Sequence, residues 1–216
     1  MSQTPCPIVV LISGNGSNLQ ALMDHSDEGA YSVCAVISNK ADAFGLQRAS
    51  KAGIPTRVID HRDYADRLSF DQRLIEEIDS FSPKLVVLAG FMRILSPEFV
   101  QHFAGKILNI HPSLLPAYRG THTHERVLEA GEKEHGVSVH FVTEELDGGP
   151  VVLQATVPVN SDDTAITLAE RVFKQEHRIY PKAVAWFAAG RLRMNEKAVE
   201  FDGKRLGVSG IREIGA

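Results

Sequence analysis

The sequence predicts a single α/β domain in which parallel βαβ units pass into a mixed sheet. Three observations carry this. Apolar runs of strand length at 8–12 and 85–89 show no polar alternation, as in strands buried on both faces. Helical patterns separate these runs, and such alternation implies right-handed βαβ units around a parallel sheet. Beyond residue 105 the pattern changes: 137–142 alternates and is joined to the extended run 151–159 through Asp147-Gly148-Gly149-Pro150, which is turn chemistry. The seam between the two patterns lies near residue 105.

The elements follow in order. A strand covers 8–12. Ser17 with Gln20 three residues later has the spacing of a capping box, so a helix begins at Ser17. A second strand covers 33–38. A helix covers 42–52, and Gly53 closes it as the first residue past its end. Another helix spans about 68–80, with Leu74, Ile75, Ile78 and Phe81 on one face and Pro83 at its end. A third strand covers 85–89. Ser96-Pro97 reads as an N-cap followed by proline at the first helical position, opening a short helix that ends by Gly105. A fourth strand covers 107–110. A helix over 123–130 stops at Gly131. Late in the chain a helix covers about 163–178, and a second one starts near Pro181 and stops at Gly190. The stretch 192–206 contains Asp202-Gly203 and reads as a hairpin.

Composition excludes several classes. Lys and Arg total 23 against 27 Asp and Glu, a net charge of −4, which argues against bulk binding to nucleic acid or an anionic membrane. Hydrophobic residues are 44% and charged residues 23%, the balance of an ordinary globular domain. No apolar run approaches the roughly 18 residues of a spanning helix. The first residues lack the basic stretch and cleavage site of a signal peptide. Cys6 and Cys34 have neither disulfide-framework nor metal-ligand spacing, so a reducing cytoplasm is the expected setting.

Three stretches can carry chemistry. Gly14-Asn15-Gly16-Ser17-Asn18 lies between the first strand and its helix, where glycines let a ligand approach the backbone and the helix start offers unpaired N–H groups. The dinucleotide fingerprint fails, because Leu19 takes the third glycine position and no acid ends the second strand. The loop therefore suits a single phosphate, or is a tight turn with no ligand. Asn109 and His111 stand two apart at the end of an apolar strand, so their side chains point the same way. An amide and an imidazole side by side can hold an oxyanion, or else cap the following loop. Asp147 is a turn residue, or it folds against His111, orients the ring and favours its protonated form. His122, His124 and His140 lack the spacing of a zinc site, and neither cysteine has a sequence neighbour that would activate it.

The stretches SGNGSNLQAL, SNKADAFGL, VVLAGFMRILSP, LNIHPSLLP, HTH, VSVHFVTEELDGGPV and QEHRIYP together resemble the phosphoribosylglycinamide formyltransferase family, over residues 7–193. The resemblance implies a Rossmann-like formyltransferase fold. It also implies one domain over 1–216, with a phosphate-binding half at about 1–105 and a folate and catalytic half at about 106–216. The implied substrates are 10-formyltetrahydrofolate, as co-substrate, and 5′-phosphoribosylglycinamide, with no metal. Asn109, His111 and Asp147 fall on the family's catalytic residues. Gly16, Ser17 and Asn18 would meet the phosphate, and Glu176 the ribose hydroxyls; Gly90 and Pro112 would line the same substrate site. Met92, Arg93, Ile94 and Leu95, with Thr143, Glu144, Glu145, Leu146 and Asp147, would line the folate pocket beside Asn109. Arg67 and Arg93 would meet the folate carboxylates. Phe173 and Arg119 depart from the family pattern.

The mechanism so implied is direct attack of the amine on the formyl carbon. Asn109 and protonated His111 would donate to the oxyanion, and Asp147 would hold His111. The related deformylases carry an extra N-terminal module and a second histidine where Pro112 stands. The tRNA formyltransferases need a basic C-terminal domain. Neither pattern matches, and the expected particle is a cytoplasmic monomer or homodimer with no nucleic-acid or membrane partner.

Overall fold

A computed structural model describes residues 4–26, 29–196 and 198–215. The chain forms two compact units that divide between Leu108 and Asn109.

The first unit is built from β1 (Cys6–Ile12), α1 (Ser17–Ser26), β2 (Tyr31–Ser38), α2 (Phe44–Lys51), β3 (Thr56–Val58), a 3-10 turn at His61–Asp63, α3 (Arg67–Asp79), β4 (Leu85–Leu88) and α4 (Pro97–His102). Its strands run in the order β3-β2-β1-β4, all parallel. Ile8, Val9, Val10, Leu11 and Ile12 of β1 are fully buried, which is why that run lacks polar alternation. Ser96 caps α4 by accepting the Phe99 N–H (3.3 Å), with Pro97 inside the first turn, as its sequence predicts.

Two local readings change. Helix α1 does begin at Ser17, but the Gly16 carbonyl accepts the first helical bond from Gln20. The Gln20 side chain turns along the helix to Asp24 (2.8 Å) instead of back to the start. Helix α3 is capped by Asp66 and Ser69 and buries Phe70, Asp71, Leu74 and Ile78; Ile75 and Phe81 are only half-buried. Strand β3 is three residues with little burial, too short to leave a periodic signal.

Strand β5 (Ile107–His111) contributes Asn109, Ile110 and His111 to the second unit. There follow α5 (Thr123–Glu129), β6 (Glu134–Phe141), β7 (Val151–Pro158), α6 (Ala165–Ala188), β8 (Leu192–Asn195), β9 (Ala198–Phe201), β10 (Lys204–Arg205) and β11 (Ile211–Ile214). Strands β6 and β7 pair antiparallel, whereas β11 pairs parallel to β7, so this unit holds the mixed part of the sheet. The stretch expected to be a hairpin is a three-stranded antiparallel sheet, β8-β9-β10. Its second turn is Asp202-Gly203, with φ of 49° and 75°, the left-handed pair that a tight hairpin needs.

The expected break at Pro181 does not occur. Helix α6 runs 24 residues straight through the proline. An interior proline costs about 3 kcal/mol through a lost N–H and a ring clash. Against this, Leu168, Val172, Ile179, Tyr180, Ala183 and Val184 are fully buried on both sides of it. Burying a large apolar side chain contributes about 1.5–3 kcal/mol, so one packed face outweighs the proline. Strand β11 docks partly through Glu213, which receives Arg178 (2.5 Å) and Lys182 from α6.

Candidate active site

In the second unit His111 faces Asp147, and Asn109 is joined to them through His140, whose Nε2 lies 3.2 Å from Asn109 Nδ2 and 3.9 Å from Asp147 Oδ1. Strand β5 presents Asn109 and His111 on one face, and the turn after β6 carries Asp147 with φ of 48°. The His111 Nδ1 lies 3.5 Å from Asp147 Oδ2, and its Nε2 donates to the Tyr118 carbonyl at 3.0 Å. Both ring nitrogens thus face oxygen acceptors. Asp147 Oδ2 also accepts the Gly120 N–H at 2.9 Å. The segment 118–120 therefore holds both members of the pair.

His140 is the residue that sequence reasoning missed, having been weighed only as a metal ligand. Its Nδ1 lies 2.9 Å from the Phe141 carbonyl, which can only accept, so Nδ1 carries the proton. Nε2 is then an acceptor and takes an N–H from Asn109 Nδ2 at 3.2 Å. This fixes which end of the Asn109 amide faces His140 and leaves its second N–H available. The one signal in the chain was Ser138 and His140 two apart in the otherwise apolar run 137–142, sharing a face. Ser138 uses that face as well. Its hydroxyl accepts the Leu115 N–H (3.0 Å) and donates to the Ser113 carbonyl (2.6 Å), pinning the loop that leaves His111.

The turn bearing Asp147 is tightly packed. A Cβ on Gly149 would lie 1.8 Å from the Phe141 carbonyl oxygen, so only glycine fits there. Of the other folate-pocket candidates in this unit, Thr143 is half-buried, while Glu144, Glu145 and Leu146 are exposed. Glu145 pairs with Arg119. Pro112 is half-buried beside His111, and Glu176 is buried on α6.

The first unit carries the remaining candidates. Gly16, Ser17 and Asn18 form the entry to α1, with Gly16 at φ of 76°. Ser13, just past β1, donates to Asn39 Oδ1 (2.6 Å) and accepts the Met92 N–H (2.8 Å), tying the ends of β1 and β2 to the loop after β4. Gly90 is exposed with φ of 75°; Met92 and Ile94 are exposed, and Leu95 is half-buried. Arg93 lies over the Phe70 ring, 5.0 Å from its centre. Its Nε is buried without a hydrogen-bond partner. Arg67 is exposed. Burial raises the pKa of the Asp71 carboxyl above its ordinary value, opposed by the Ser96 N–H (2.6 Å) and by the Arg67 and Arg93 charges.

Among the described residues no three or more His, Cys, Asp or Glu side chains are grouped to hold a metal. His124 Nδ1 instead meets His135 Nε2 at 3.0 Å, and His122 is exposed with Glu125 at 3.8 Å. Nor is any helix of the described residues long and apolar enough to cross a membrane.

The buried imidazoles predict an acid-sensitive fold. Burial pushes His135 and His140 each from 6.5 down to about 4, and lowers His124 as well. The unfolded chain then binds more protons than the native one between about pH 6.5 and 4. Stability is full above that window and is lost as pH falls through it. The urea midpoint is expected to drop steadily from pH 7 to pH 4. A level midpoint would mean that these rings do not stay neutral in the native state.

The family model described as formyl transferase matches residues 6–184. The chain belongs to the formyl transferase family. Within that family it is 59% identical over 201 residues to the phosphoribosylglycinamide formyltransferase of Escherichia coli, covering 92% of this chain and 95% of that one. It is 49% identical over 205 residues to the protein of the same name from Haemophilus influenzae, covering 94% and 97%. The solved phosphoribosylglycinamide formyltransferase of Coxiella burnetii superposes with a TM-score of 0.93 at 54% identity, covering 96% of this chain and 99% of that one. The mixed α/β formyl transferase fold, with its mostly parallel sheet, is common to this chain and that structure.

Proposed function

We propose that this formyl transferase moves the formyl group of 10-formyltetrahydrofolate onto the amine of 5′-phosphoribosylglycinamide, a step of purine biosynthesis. The observation that carries the reading is His111 set against Asp147, with Asn109 tied to the same carboxylate through His140, in a chain 59% identical to a named enzyme of this activity. 10-Formyltetrahydrofolate is the co-substrate. Residues 1–216 act as one formyltransferase domain, and the particle is a cytoplasmic monomer or homodimer with small molecules as its substrates.

The chemistry follows from the side chains. The amine lone pair attacks the formyl carbon, and the carbonyl electron pair moves onto oxygen. The free N–H of Asn109 and the Nε2–H of His111 donate to that oxygen. His111 must exchange the Tyr118 carbonyl for the formyl oxygen, since Nε2 donates to Tyr118 before substrate arrives. Asp147 keeps the ring in place through Nδ1. The attacking amine loses its proton through a water beside Asp147, and N10 gains one as the carbon–N10 bond breaks. With both substrates held together, transfer is direct and needs no formyl-enzyme. The loop at Gly16, Ser17 and Asn18 takes the phosphate on backbone N–H groups at the start of α1. Glu176 takes the ribose hydroxyls, with Gly90 and Pro112 beside the substrate. Arg67 and Arg93 take the folate carboxylates; Met92, Ile94, Leu95, Thr143, Glu144, Glu145 and Leu146 line the folate pocket.

The test is absorbance of the folate with and without ribonucleotide. Loss of 10-formyltetrahydrofolate is expected only when 5′-phosphoribosylglycinamide is present, with a product heavier by one formyl group. Loss without ribonucleotide would make the chain a hydrolase, and no loss in either case would make it a binding module.

A further inference from the structure

Helix α2 packs on the Gly14–Asn15–Gly16 loop more closely than a connecting turn requires. The Gly45 N–H donates to the Gly14 carbonyl at 3.1 Å. A Cβ on Gly16 would lie 2.7 Å from Gly45 Cα, so both glycines are needed for the contact. One turn further along α2, Arg48 reaches back to the loop. Its Nε donates to the Asn15 carbonyl and its Nη2 to Asn15 Oδ1, both at 3.0 Å. Its Nη1 meets Gln20 Oε1 of α1 at 3.4 Å. The Phe44 ring lies 4.9 Å from the guanidinium carbon and supports it from one face.

This fork has two consequences for an anion at the start of α1. It turns both Asn15 oxygens toward the guanidinium and engages one lone pair of each, which lessens their repulsion of an anion. It also sets a permanent positive charge behind the N–H groups of the helix start, adding to the dipole end. Lysine can supply the charge but lacks the rigid planar fork that fits two oxygens side by side.

We propose that Arg48 is a positioning residue that sets the affinity of the Gly16–Ser17–Asn18 loop for the substrate's phosphate. The inference rests on reading that loop as the phosphate site. Arg48→Ala is expected to raise KM for 5′-phosphoribosylglycinamide about tenfold. The kcat and the KM for 10-formyltetrahydrofolate should stay within about twofold. Arg48→Lys, retaining charge without the fork, should recover part of the loss. Titration of inorganic phosphate into the protein, followed by the Gly16 and Ser17 amide resonances, separates the two claims. In the unsubstituted protein these amides should shift and saturate; if they do not, the loop is not the phosphate site and the inference falls with it. If they saturate at the same phosphate concentration in Arg48→Ala, the loop reading stands and Arg48 has no part in affinity. A lowered melting temperature with unchanged ribonucleotide KM would likewise assign Arg48 to stability alone.

Discussion

Alanine at Asn109 or at His111 is expected to lower kcat by about 10²–10³ while leaving ribonucleotide KM within about threefold. Each substitution removes one donor aimed at the oxygen that becomes negative as the amine adds, and such a donor is worth roughly 2.7–4 kcal/mol. The effect falls on kcat because the formyl oxygen carries little charge until the transition state. The two positions differ in their surroundings. Asn109→Ala leaves the His140 Nε2 without its N–H donor, at an imidazole only 2% exposed. His111→Ala leaves the Tyr118 carbonyl and one Asp147 oxygen without the ring. Steady-state kinetics on both, with melting temperatures as the control, test the assignment. A folded His111→Ala protein of near-normal kcat would remove the imidazole from the mechanism.

Asp147→Asn is expected to reduce kcat by an amount on the order of 10³, with the fold intact. The amide has the volume of the carboxyl, and its Oδ1 can still accept the Gly120 N–H that Asp147 now takes at 2.9 Å. What disappears is the negative charge 3.5 Å from His111 Nδ1. The oxygen that keeps the Gly120 N–H is also the one nearest Nδ1, so the ring retains an acceptor there but its protonated form loses the support of the carboxylate charge. In a Ser-His-Asp triad the same carboxylate-to-amide change is associated with a loss of about 10⁴ through the wrong tautomer. The smaller figure here reflects a longer contact than a direct hydrogen bond. Steady-state kcat near that of the parent chain, with melting unchanged, would leave Asp147 a turn residue only.

The sequence carried much of this site in legible form. Asn109 and His111 could be placed on one face because a strand has a period of two and β5 is apolar around them. The glycines of the first loop were readable because a helix start needs N–H partners and a close approach needs no Cβ. His140 was not legible as the partner of Asn109. They stand 31 residues apart, and nothing local distinguishes a histidine that accepts an amide N–H from one that binds zinc. Arg48 was illegible for the same reason, being 33 residues from the loop that it grips.

What the chain determined by itself was therefore periodic and local: the order of strands and helices, the turn glycines, the cap at Ser96 and the shared face of Asn109 and His111. Tertiary structure alone decided three further things. It carried α6 through Pro181, because burial along one face exceeds the proline's local cost. It added β11 to the edge of β7, where Glu213 meets two cations from α6. It also set Asp147, His140 and the 118–120 backbone around His111, since contacts between distant residues depend on how surfaces pack and leave no spacing in the sequence to read.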